Sequence, residues 1–333
     1  MSRRVVIVGQ YMEGIEIERR VLEPIGAEII DTRDFSEKEI EQALRGADAV
    51  LFRKLGVTRE LIGTLGQCKI ICTYAAGYDA IDVEAATEHR IMVANTPGYG
   101  NDEVADHTLM LLFALTRRLI PQVDALRAAA SDGDVRAAWT HRPYMPIRRI
   151  RGQTLGIIGL GRIGKTVAWK AQGLGLKVIA TDPYVAEDVA AGLDVPLVPL
   201  DELLGASDYV TLHTPLTNET LKIIQTRELS LMKSSAFLIN CARGKVVDHA
   251  SLIAALRDGQ IAGAALDVVE IEPLPLTMLR ELVDFPNVIV TPHNAWYSDN
   301  SVDDRQRIAA ETVRDALLGQ VPDSVVNRAA FVS

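Results

Sequence analysis

Cysteine is scarce in this chain, which has three cysteines among 333 residues. A small secreted domain held together by disulfides would use more of them, so we do not predict a disulfide framework. Cys68 and Cys72 lie in an apolar segment with no histidine nearby, and we therefore expect no metal site there. Reduced cysteines of this kind are typical of cytoplasmic proteins, and we expect the protein in the cytoplasm.

The chain also lacks long apolar runs and an excess of positive charge. No apolar run approaches the roughly twenty residues that span a bilayer, and the run after Arg3 and Arg4 is too short for the core of a signal peptide. The formal net charge is −9, whereas nucleic-acid binding normally needs a basic face. The basic segment 142–151 is interrupted by two prolines, and we interpret it as a solvated loop. We therefore expect no membrane and no nucleic acid as a partner.

The chain does contain a regular alternation of short apolar segments with helical patterns. This alternation predicts an α/β protein whose parallel sheets are covered on both faces. Two longer helices are predicted, over 102–130 and 303–318, and Pro121 should kink or divide the first. The segment 131–152 reads as irregular. The predicted strands are 5–8, 27–30, 49–52, 70–72, 92–94, 154–158, 176–180, 209–212, 236–240, 263–267 and 288–291, with shorter helices at 37–44 and 251–257.

The most informative segment runs from Thr154 to Gly164, where an apolar strand enters a Gly-x-Gly-x-x-Gly turn and helical sequence follows. In a dinucleotide-binding βαβ unit, Gly159 would permit the tight turn and Gly161 would let a pyrophosphate approach the backbone. Gly164 would let helix and strand pack closely. The start of the helix would direct unpaired N–H groups at the phosphates. The glycines alone would also fit an ordinary turn, but the strand, helix and second strand occur in the required order.

Asp182 suggests which dinucleotide is bound. It closes the second strand, where a carboxylate would accept hydrogen bonds from the adenosine ribose. The following residues, Pro183 and Tyr184, bring no cation that could neutralise the extra phosphate of NADP. The sequence therefore predicts NAD as the cofactor.

Three further polar segments follow later strands, at the sheet edge where ligands collect in α/β proteins. Arg243 comes directly after a strand, and its planar guanidinium suits a carboxylate, although a surface ion pair would also explain it. The segment 267–273 carries three acids, of which we interpret Glu270 as solvated. His293 follows a Thr-Pro turn, where it could equally be a loop residue without chemistry.

Together these segments suit hydride transfer to a 2-oxo acid. Such a substrate needs its carboxylate anchored and its carbonyl polarised, which an arginine can do, and it needs a proton, which an imidazolium can deliver. A glutamate beside the histidine would fix its tautomer and favour its protonated form.

With these motifs the chain resembles the D-isomer-specific 2-hydroxyacid dehydrogenases over essentially its full length. The similar segments include 76–82 and 95–98 as well as the glycine motif and the late segments. The resemblance implies that Arg243 binds substrate, that His293 donates the proton and that Glu272 is its partner. It also implies a substrate-carboxylate site at the backbone of Ala76 and Gly77. The positions that match an NAD-site lining are Gly159, Gly161, Arg162, Ile163, Gly164, Asp182, Thr214, Cys241, Ala242, Arg243 and Asp267.

The resemblance further implies two doubly wound parallel-sheet domains. A Rossmann NAD domain, 102–296, would be inserted into a discontinuous, flavodoxin-like substrate domain made of 1–101 and 297–333. Relatives of this type pair through the helix at 102–130 and the arm after it. We therefore expect a homodimer at least, with a homotetramer as the alternative. The apolar side chains expected at the interface are Leu109, Leu112, Phe113 and Trp139.

Within the family, 293–298 and 321–324 look most like the C-terminal binding proteins, which are NAD-binding corepressors. Two functions therefore stay open: an NAD-dependent D-2-hydroxyacid dehydrogenase, or an NAD-gated scaffold with incidental chemistry. The three catalytic residues and the lack of long low-complexity tails favour the enzyme. Because the chain ends soon after Asn327, we expect no serine-binding regulatory domain.

The substrate's side chain is not determined by the sequence. Arg53 and Lys54 could face the cleft and favour an anionic substrate, but exposed surface cations are the simpler interpretation. Trp296 could narrow the pocket for a small 2-oxo acid. The full set of candidate pocket residues is Arg53, Lys54, Tyr78, Tyr99, Trp139 and Trp296.

Overall fold

The computed structural model describes residues 3–9, 14–53, 56–133, 135–136, 138–139 and 146–332. The chain forms two compact units. The first consists of Met1–Gly100 and Ser298–Ser333, and the second is Asn101–Tyr297. Each division lies one residue from the boundary expected from the sequence.

The secondary structure alternates strands and helices in both units. The strands are β1 (Arg3–Val8), β2 (Ala27–Asp31), β3 (Ala49–Phe52), β4 (Ile70–Thr73), β5 (Met92–Ala94), β6 (Thr154–Ile158), β7 (Lys177–Thr181), β8 (Tyr209–Leu212), β9 (Phe237–Asn240), β10 (Gly263–Leu266) and β11 (Val288–Val290). The helices are α1 (Glu16–Leu22), α2 (Glu37–Leu44), α3 (Arg59–Gly63), α4 (Val83–Glu88), α5 (Asn101–Thr116), α6 (Leu119–Asp132), α7 (Arg162–Gly173), α8 (Glu187–Ala191), α9 (Leu200–Ala206), α10 (Thr226–Leu231), α11 (His249–Arg257), α12 (Leu276–Val283) and α13 (Asp299–Leu317).

The first unit is built on a parallel sheet with the strand order β2-β1-β3-β4-β5. This is the flavodoxin-like order, as expected. Successive residues of a strand face opposite sides of the sheet. Val5 and Ile7 therefore pack under α1 and α13, while Val6 and Val8 belong to the core on the other face. The buried strands are continuously apolar because helices cover both faces.

The second unit is built on a parallel sheet with the order β11-β10-β9-β8-β6-β7. An isolated parallel bridge between Ala180 and Leu197 adds a short extended segment beyond β7. With that segment counted as the third strand, the order matches the Rossmann arrangement. The order reverses between β6 and β8, and this reversal is where such sheets bind ligands.

The predicted helix over 102–130 is two helices. Arg118 adopts a left-handed conformation with φ 54° and separates α5 from α6. Pro121 lies in the first turn of α6, where its missing N–H removes no helical hydrogen bond. The expectation that this helix is divided is confirmed, but the break precedes the proline.

Two of the residues expected at a dimer interface belong to the core instead. Leu109 is 7% exposed and Leu112 is 0% exposed, because both pack against the sheet of the second unit. The prediction that they contact a partner is wrong. Phe113 is half-buried, and Trp139 is 78% exposed.

None of the helices within the described ranges is long and apolar enough to cross a membrane. Across the same residues, no three His, Cys, Asp or Glu side chains are grouped so that they could hold a metal ion. The three cysteines are free and buried.

Candidate active site

The three glycines of the turn after β6 have three different surroundings. Gly159 has φ +94°, and a Cβ there would lie 2.8 Å from the His213 carbonyl group. A Cβ on Gly164 would lie 2.2 Å from the Gly159 carbonyl oxygen, so α7 packs directly on the turn. A Cβ on Gly161 would meet no atom within 4 Å. The turn is therefore open at Gly161, where a pyrophosphate was expected, and closed at the other two glycines.

The N-terminus of α7 directly follows the glycine turn. Gly161 is its N-cap residue and contributes no side-chain cap, so the first N–H groups of the helix are left for a ligand. Arg162, the first residue of the helix, is exposed, whereas Ile163 is half-buried and packs against the core.

Asp182 connects this turn to the end of β7. Its carboxylate oxygens accept hydrogen bonds from Leu160 N (2.8 Å) and Tyr184 N (2.9 Å). Each oxygen has a second lone pair and could still accept from a ribose hydroxyl. Asp182 thus has a structural role in addition to the predicted one, since it ties the glycine turn to the neighbouring strand.

Polar atoms at the end of β8 face the same reversal point. Thr214 Oγ1 is buried and has no hydrogen-bond partner within the part of the chain described. A hydroxyl in that position is normally satisfied by a ligand or water. Burial lowers the pKa of the neighbouring His213 to about 3, so this imidazole is neutral. The open glycine turn, the uncapped helix and the orphaned hydroxyl together fit a bound dinucleotide.

The loop after β9 carries Arg243. Asn240, which is 1% exposed, holds this loop from both sides: its Nδ2 donates to Arg243 O (2.9 Å) and its Oδ1 accepts from Ala242 N (3.0 Å). A Cβ on Gly244 would lie 1.8 Å from Val269 O, so only glycine lets this loop pack against the one after β10. No motif in the sequence indicated this role of Asn240.

Cys241 lines the core rather than an open site. It is 7% exposed, and burial raises the pKa of its thiol to about 12. Any contact between Cys241 and a cofactor would therefore come from its backbone.

Glu272 and His293 form the central pair of the site. His293 Nδ1 lies 2.6 Å from Glu272 Oε2, and the other carboxylate oxygen accepts from Val269 N at 3.1 Å. Partial burial acts to raise the pKa of Glu272, but its hydrogen bonds and the charges of His293 and Arg243 outweigh that effect and lower it. Since Nδ1 is engaged, Nε2 is the ring nitrogen left to exchange a proton.

The turn that presents His293 is held by Asp267. His293 has φ +54°, which is uncommon for a residue with a side chain. Its N–H donates to Asp267 O (2.8 Å), and the buried Asp267 carboxylate accepts from Asn294 N (3.1 Å) and Ala295 N (2.9 Å). Trp296 Nε1 donates to His293 O at 3.1 Å from the other side. The turn is therefore rigidly tied to the end of β10.

Glu270 is not the solvated acid expected from the sequence. Its Oε2 accepts from His249 N (3.3 Å) at the start of α11, and its Oε1 lies 3.8 Å from Lys222 Nζ. The residue is half-buried. The interpretation of Glu270 as a solvated side chain is wrong, because it anchors its loop to a helix and a lysine.

The predicted residues divide between the two units. Arg243, Glu272 and His293 lie in the second unit, as do all predicted cofactor residues and Trp296. Ala76 and Gly77 follow β4 in the first unit, where Asn95 Nδ2 donates to Ala76 O at 2.6 Å. Their role as a carboxylate site stays a prediction. Of the other pocket candidates, Arg53, Tyr78 and Tyr99 lie in the first unit and Lys54 lies outside the described residues.

Comparison with known proteins places this site in a family. Residues 109–295 match the D-isomer specific 2-hydroxyacid dehydrogenase, NAD binding domain. The chain is 38% identical to a glyoxylate reductase of Korarchaeum cryptofilum over 294 residues, which cover 88% of this chain and 86% of that protein. The chain belongs to the D-isomer-specific 2-hydroxyacid dehydrogenase family.

Other family members are also similar. A D-3-phosphoglycerate dehydrogenase of Methanocaldococcus jannaschii is 37% identical over 310 residues, which cover 92% of this chain but only 57% of that protein. The chain thus spans little more than half of that relative. The crystal structure of D-lactate dehydrogenase from Aquifex aeolicus, complexed with NAD and lactic acid, has a TM-score of 0.83 and 30% identity, covering 95% of this chain and 96% of that one.

These comparisons identify the second unit as the NAD-binding domain of the family. They do not support the narrower resemblance to the C-terminal binding proteins, because the relatives are a reductase and dehydrogenases. That branch assignment is corrected to the family as a whole.

Proposed function

We propose that the protein is an NAD-dependent D-2-hydroxyacid dehydrogenase that interconverts a small 2-oxo acid and its D-2-hydroxy acid. The observation that carries the proposal is the hydrogen bond between His293 and Glu272 at 2.6 Å within a family NAD-binding domain. The cofactor, when bound, donates or accepts the hydride.

His293 is the proposed proton donor in reduction and the acceptor in oxidation. Glu272 occupies Nδ1, fixes the ring and stabilises the imidazolium, which leaves Nε2 to exchange the proton with the substrate oxygen. Protonation of that oxygen as hydride reaches the carbonyl carbon prevents an alkoxide from accumulating.

Arg243 is proposed to bind and polarise the substrate. Its planar guanidinium can donate two hydrogen bonds to a carboxylate and a carbonyl oxygen. Arg243 Nη1 contacts Ala242 O at 2.8 Å, so the side chain folds back along its own loop. Its charge also acts on Glu272. Backbone N–H groups of Ala76 and Gly77 are proposed to hold the substrate carboxylate.

The cofactor is proposed to lie along the glycine turn, with Asp182 at its ribose. Arg162, Ile163, Thr214, Ala242 and the backbone of Cys241 would line its path. The buried hydroxyl of Thr214 supports this course, since it has no partner in the described protein.

The experiment that tests the function is NADH oxidation with a panel of 2-oxo acids, together with NAD reduction with D- and L-2-hydroxy acids. We expect turnover of at least one 2-oxo acid and of only the D-isomer of its product. If NADH binds but no 2-oxo acid is turned over, the alternative of an NAD-gated scaffold gains support, and NADH-dependent assembly would then be the property to measure.

We also propose a homodimer, formed through an apolar face on α5 and α6. The exposed side chains of this face are Met110 (48%), Leu119 (50%), Ile120 (46%) and Leu126 (40%). Light scattering at micromolar concentration should give at least twice the chain mass. Ile120→Asp should shift the protein towards the monomer because it buries a charge in the interface. A monomeric wild type would contradict this proposal.

A further inference from the structure

His107 lies beside the turn that carries His293. It belongs to α5, and its side chain is 15% exposed. Its Nε2 lies 3.0 Å from Thr291 Oγ1 and 3.5 Å from Asp267 Oδ1. The Asp267 carboxylate is the group that accepts from Asn294 N and Ala295 N, immediately after His293.

These hydrogen bonds link His107 to Thr291 and Thr291 to Asp267, and their directions are fixed. Thr291 Oγ1 donates its only proton to Asp267 Oδ1 at 2.6 Å. The same oxygen can therefore only accept from His107, so Nε2 of His107 must carry a hydrogen. Burial lowers the pKa of His107, and the charge of Asp267 opposes this effect without reversing it. His107 is thus a neutral donor with a fixed tautomer.

This series of hydrogen bonds leads to the backbone of the turn that carries His293. One carboxylate oxygen of Asp267 faces Thr291 and Asn294 N, while the other accepts from Ala295 N. Without the Thr291 hydroxyl, the carboxylate would keep its two backbone donors but lose the side-chain donor that holds Oδ1 from the end of β11. The left-handed His293 would then be held less firmly in its position against Glu272.

We propose that His107 and Thr291 are positioning residues, which hold the His293 turn in its left-handed conformation through Asp267. Neither residue touches the reacting atoms. The kinetic consequence rests on the proposed function, but the structural consequence does not, because the hydrogen bonds belong to the protein alone.

The test compares Thr291→Val with Thr291→Ser. Valine keeps the shape but removes the hydroxyl, whereas serine restores it. Hydrogen exchange of the backbone amides of Asn294 and Ala295 is the first readout. We expect exchange in Thr291→Val to be about tenfold faster, the effect of losing one net hydrogen bond, and exchange in Thr291→Ser to stay near wild type.

The matched control is Thr116→Val on α5. Thr116 is buried, and its hydroxyl donates to Leu112 O at 2.7 Å, so this variant also loses a buried hydroxyl but leaves the hydrogen bonds among His107, Thr291 and Asp267 in place. It should leave exchange at Asn294 and Ala295 unchanged. Faster exchange there in the control would mean general destabilisation and would overturn the proposal.

Kinetics supply the second readout. In Thr291→Val, kcat for 2-oxo acid reduction should fall about tenfold while the Kd for NADH changes by less than about twofold, and Thr291→Ser should recover kcat. Wild-type exchange and kcat in Thr291→Val would overturn the proposal. So would a loss in Thr291→Val that serine fails to restore.

If Thr291→Val does not fold, His107→Gln and His107→Leu decide the question. Glutamine keeps an N–H donor for Thr291, and leucine does not. We expect faster exchange at the turn only in His107→Leu, and equal exchange in the two variants would overturn the proposal. If the wild type turns over no 2-oxo acid, the proposed function fails, but the exchange measurements still test this chain of hydrogen bonds.

Discussion

Replacing Glu272 by glutamine keeps the size of the side chain but removes the negative charge that lies 2.6 Å from His293 Nδ1. The amide oxygen can still accept from Nδ1, so the ring orientation should survive, although the amide nitrogen cannot accept from Val269 N as the second carboxylate oxygen does. A hydrogen bond to a charged group is worth about 1 kcal/mol more than a neutral one. The two side chains are 35% and 46% exposed, so solvent screening keeps the effect at or below that value. A difference of about 1 kcal/mol corresponds to a displacement of roughly 0.7 pH unit in the limbs of the pH–rate profiles.

The direction in which the pH–rate profiles move depends on which protonation state of His293 each reaction needs in the proposed mechanism. The pKa of Glu272 is below its ordinary value, so the carboxylate is ionised at neutral pH and loses its charge only when the pH falls through that lowered pKa. The ionised carboxylate stabilises the protonated imidazole, which the proposed mechanism requires for reduction, and disfavours the neutral one, which it requires for oxidation. In Glu272→Gln, the falling limb of reduction and the rising limb of oxidation should therefore both move to lower pH.

The assay is kcat/KM against pH in both directions for the wild type and Glu272→Gln. The matched control is Glu270→Gln, two residues away in the same loop. Glu270 contacts His249 N and Lys222 instead of His293, so its replacement should leave both limbs in place. Limbs that stay unchanged in Glu272→Gln, or that move to higher pH, would refute the assigned partnership.

Four other substitutions test separate parts of the site. His293→Ala should lower turnover by roughly 10²–10⁴-fold, the range for a positioned general acid, with NADH binding retained; wild-type turnover would place the proton elsewhere. Asp182→Asn should weaken NADH use and raise the ratio of NADPH use to NADH use, because the carboxylate that repels a 2′-phosphate is gone. A wild type that already prefers NADPH would contradict the role assigned to Asp182. Gly164→Ala should lower stability by about 1–3 kcal/mol because the new Cβ overpacks the turn, and denaturant unfolding measures this. Gly161→Ala should fold normally, because a Cβ at that position meets no atom within 4 Å. It should bind NADH more weakly, because the Cβ would occupy the space expected for the pyrophosphate. Tight NADH binding in that variant would place the pyrophosphate elsewhere.

The strands of both units were predictable because they are buried in parallel sheets, and such strands are continuous apolar runs bounded by polar turns. The helix from Glu37 to Leu44 was predictable for a similar reason, since its polar and apolar residues follow a helical period. Helices as short as α3 or α8 carry too few residues to show that period. The division of the 102–130 segment was expected from Pro121, but its position at Arg118 depends on how the two helices pack.

The glycine motif and Asp182 are close together along the chain, so their local order alone indicated the cofactor site. Similarly, the conformations of Gly159 and Gly164 follow from a turn of only a few residues. Leu109 and Leu112 show the limit of such reasoning. Their helix is apolar over much of its surface, and only its packing against the sheet decides which side chains are buried.

The sequence by itself thus determined the α/β class, the NAD motif and the residue types of the site, because these depend on periodicity and turn chemistry over short stretches. Only the tertiary structure decided which polar residues meet. Glu270 and Glu272 are chemically alike and two positions apart, yet one binds the start of α11 and the other binds His293. His107 reaches Thr291 across 184 positions of the chain. The physical reason is that parallel strands bring their carboxyl ends to one edge in an order set by the sheet. No local stretch of sequence determines that order.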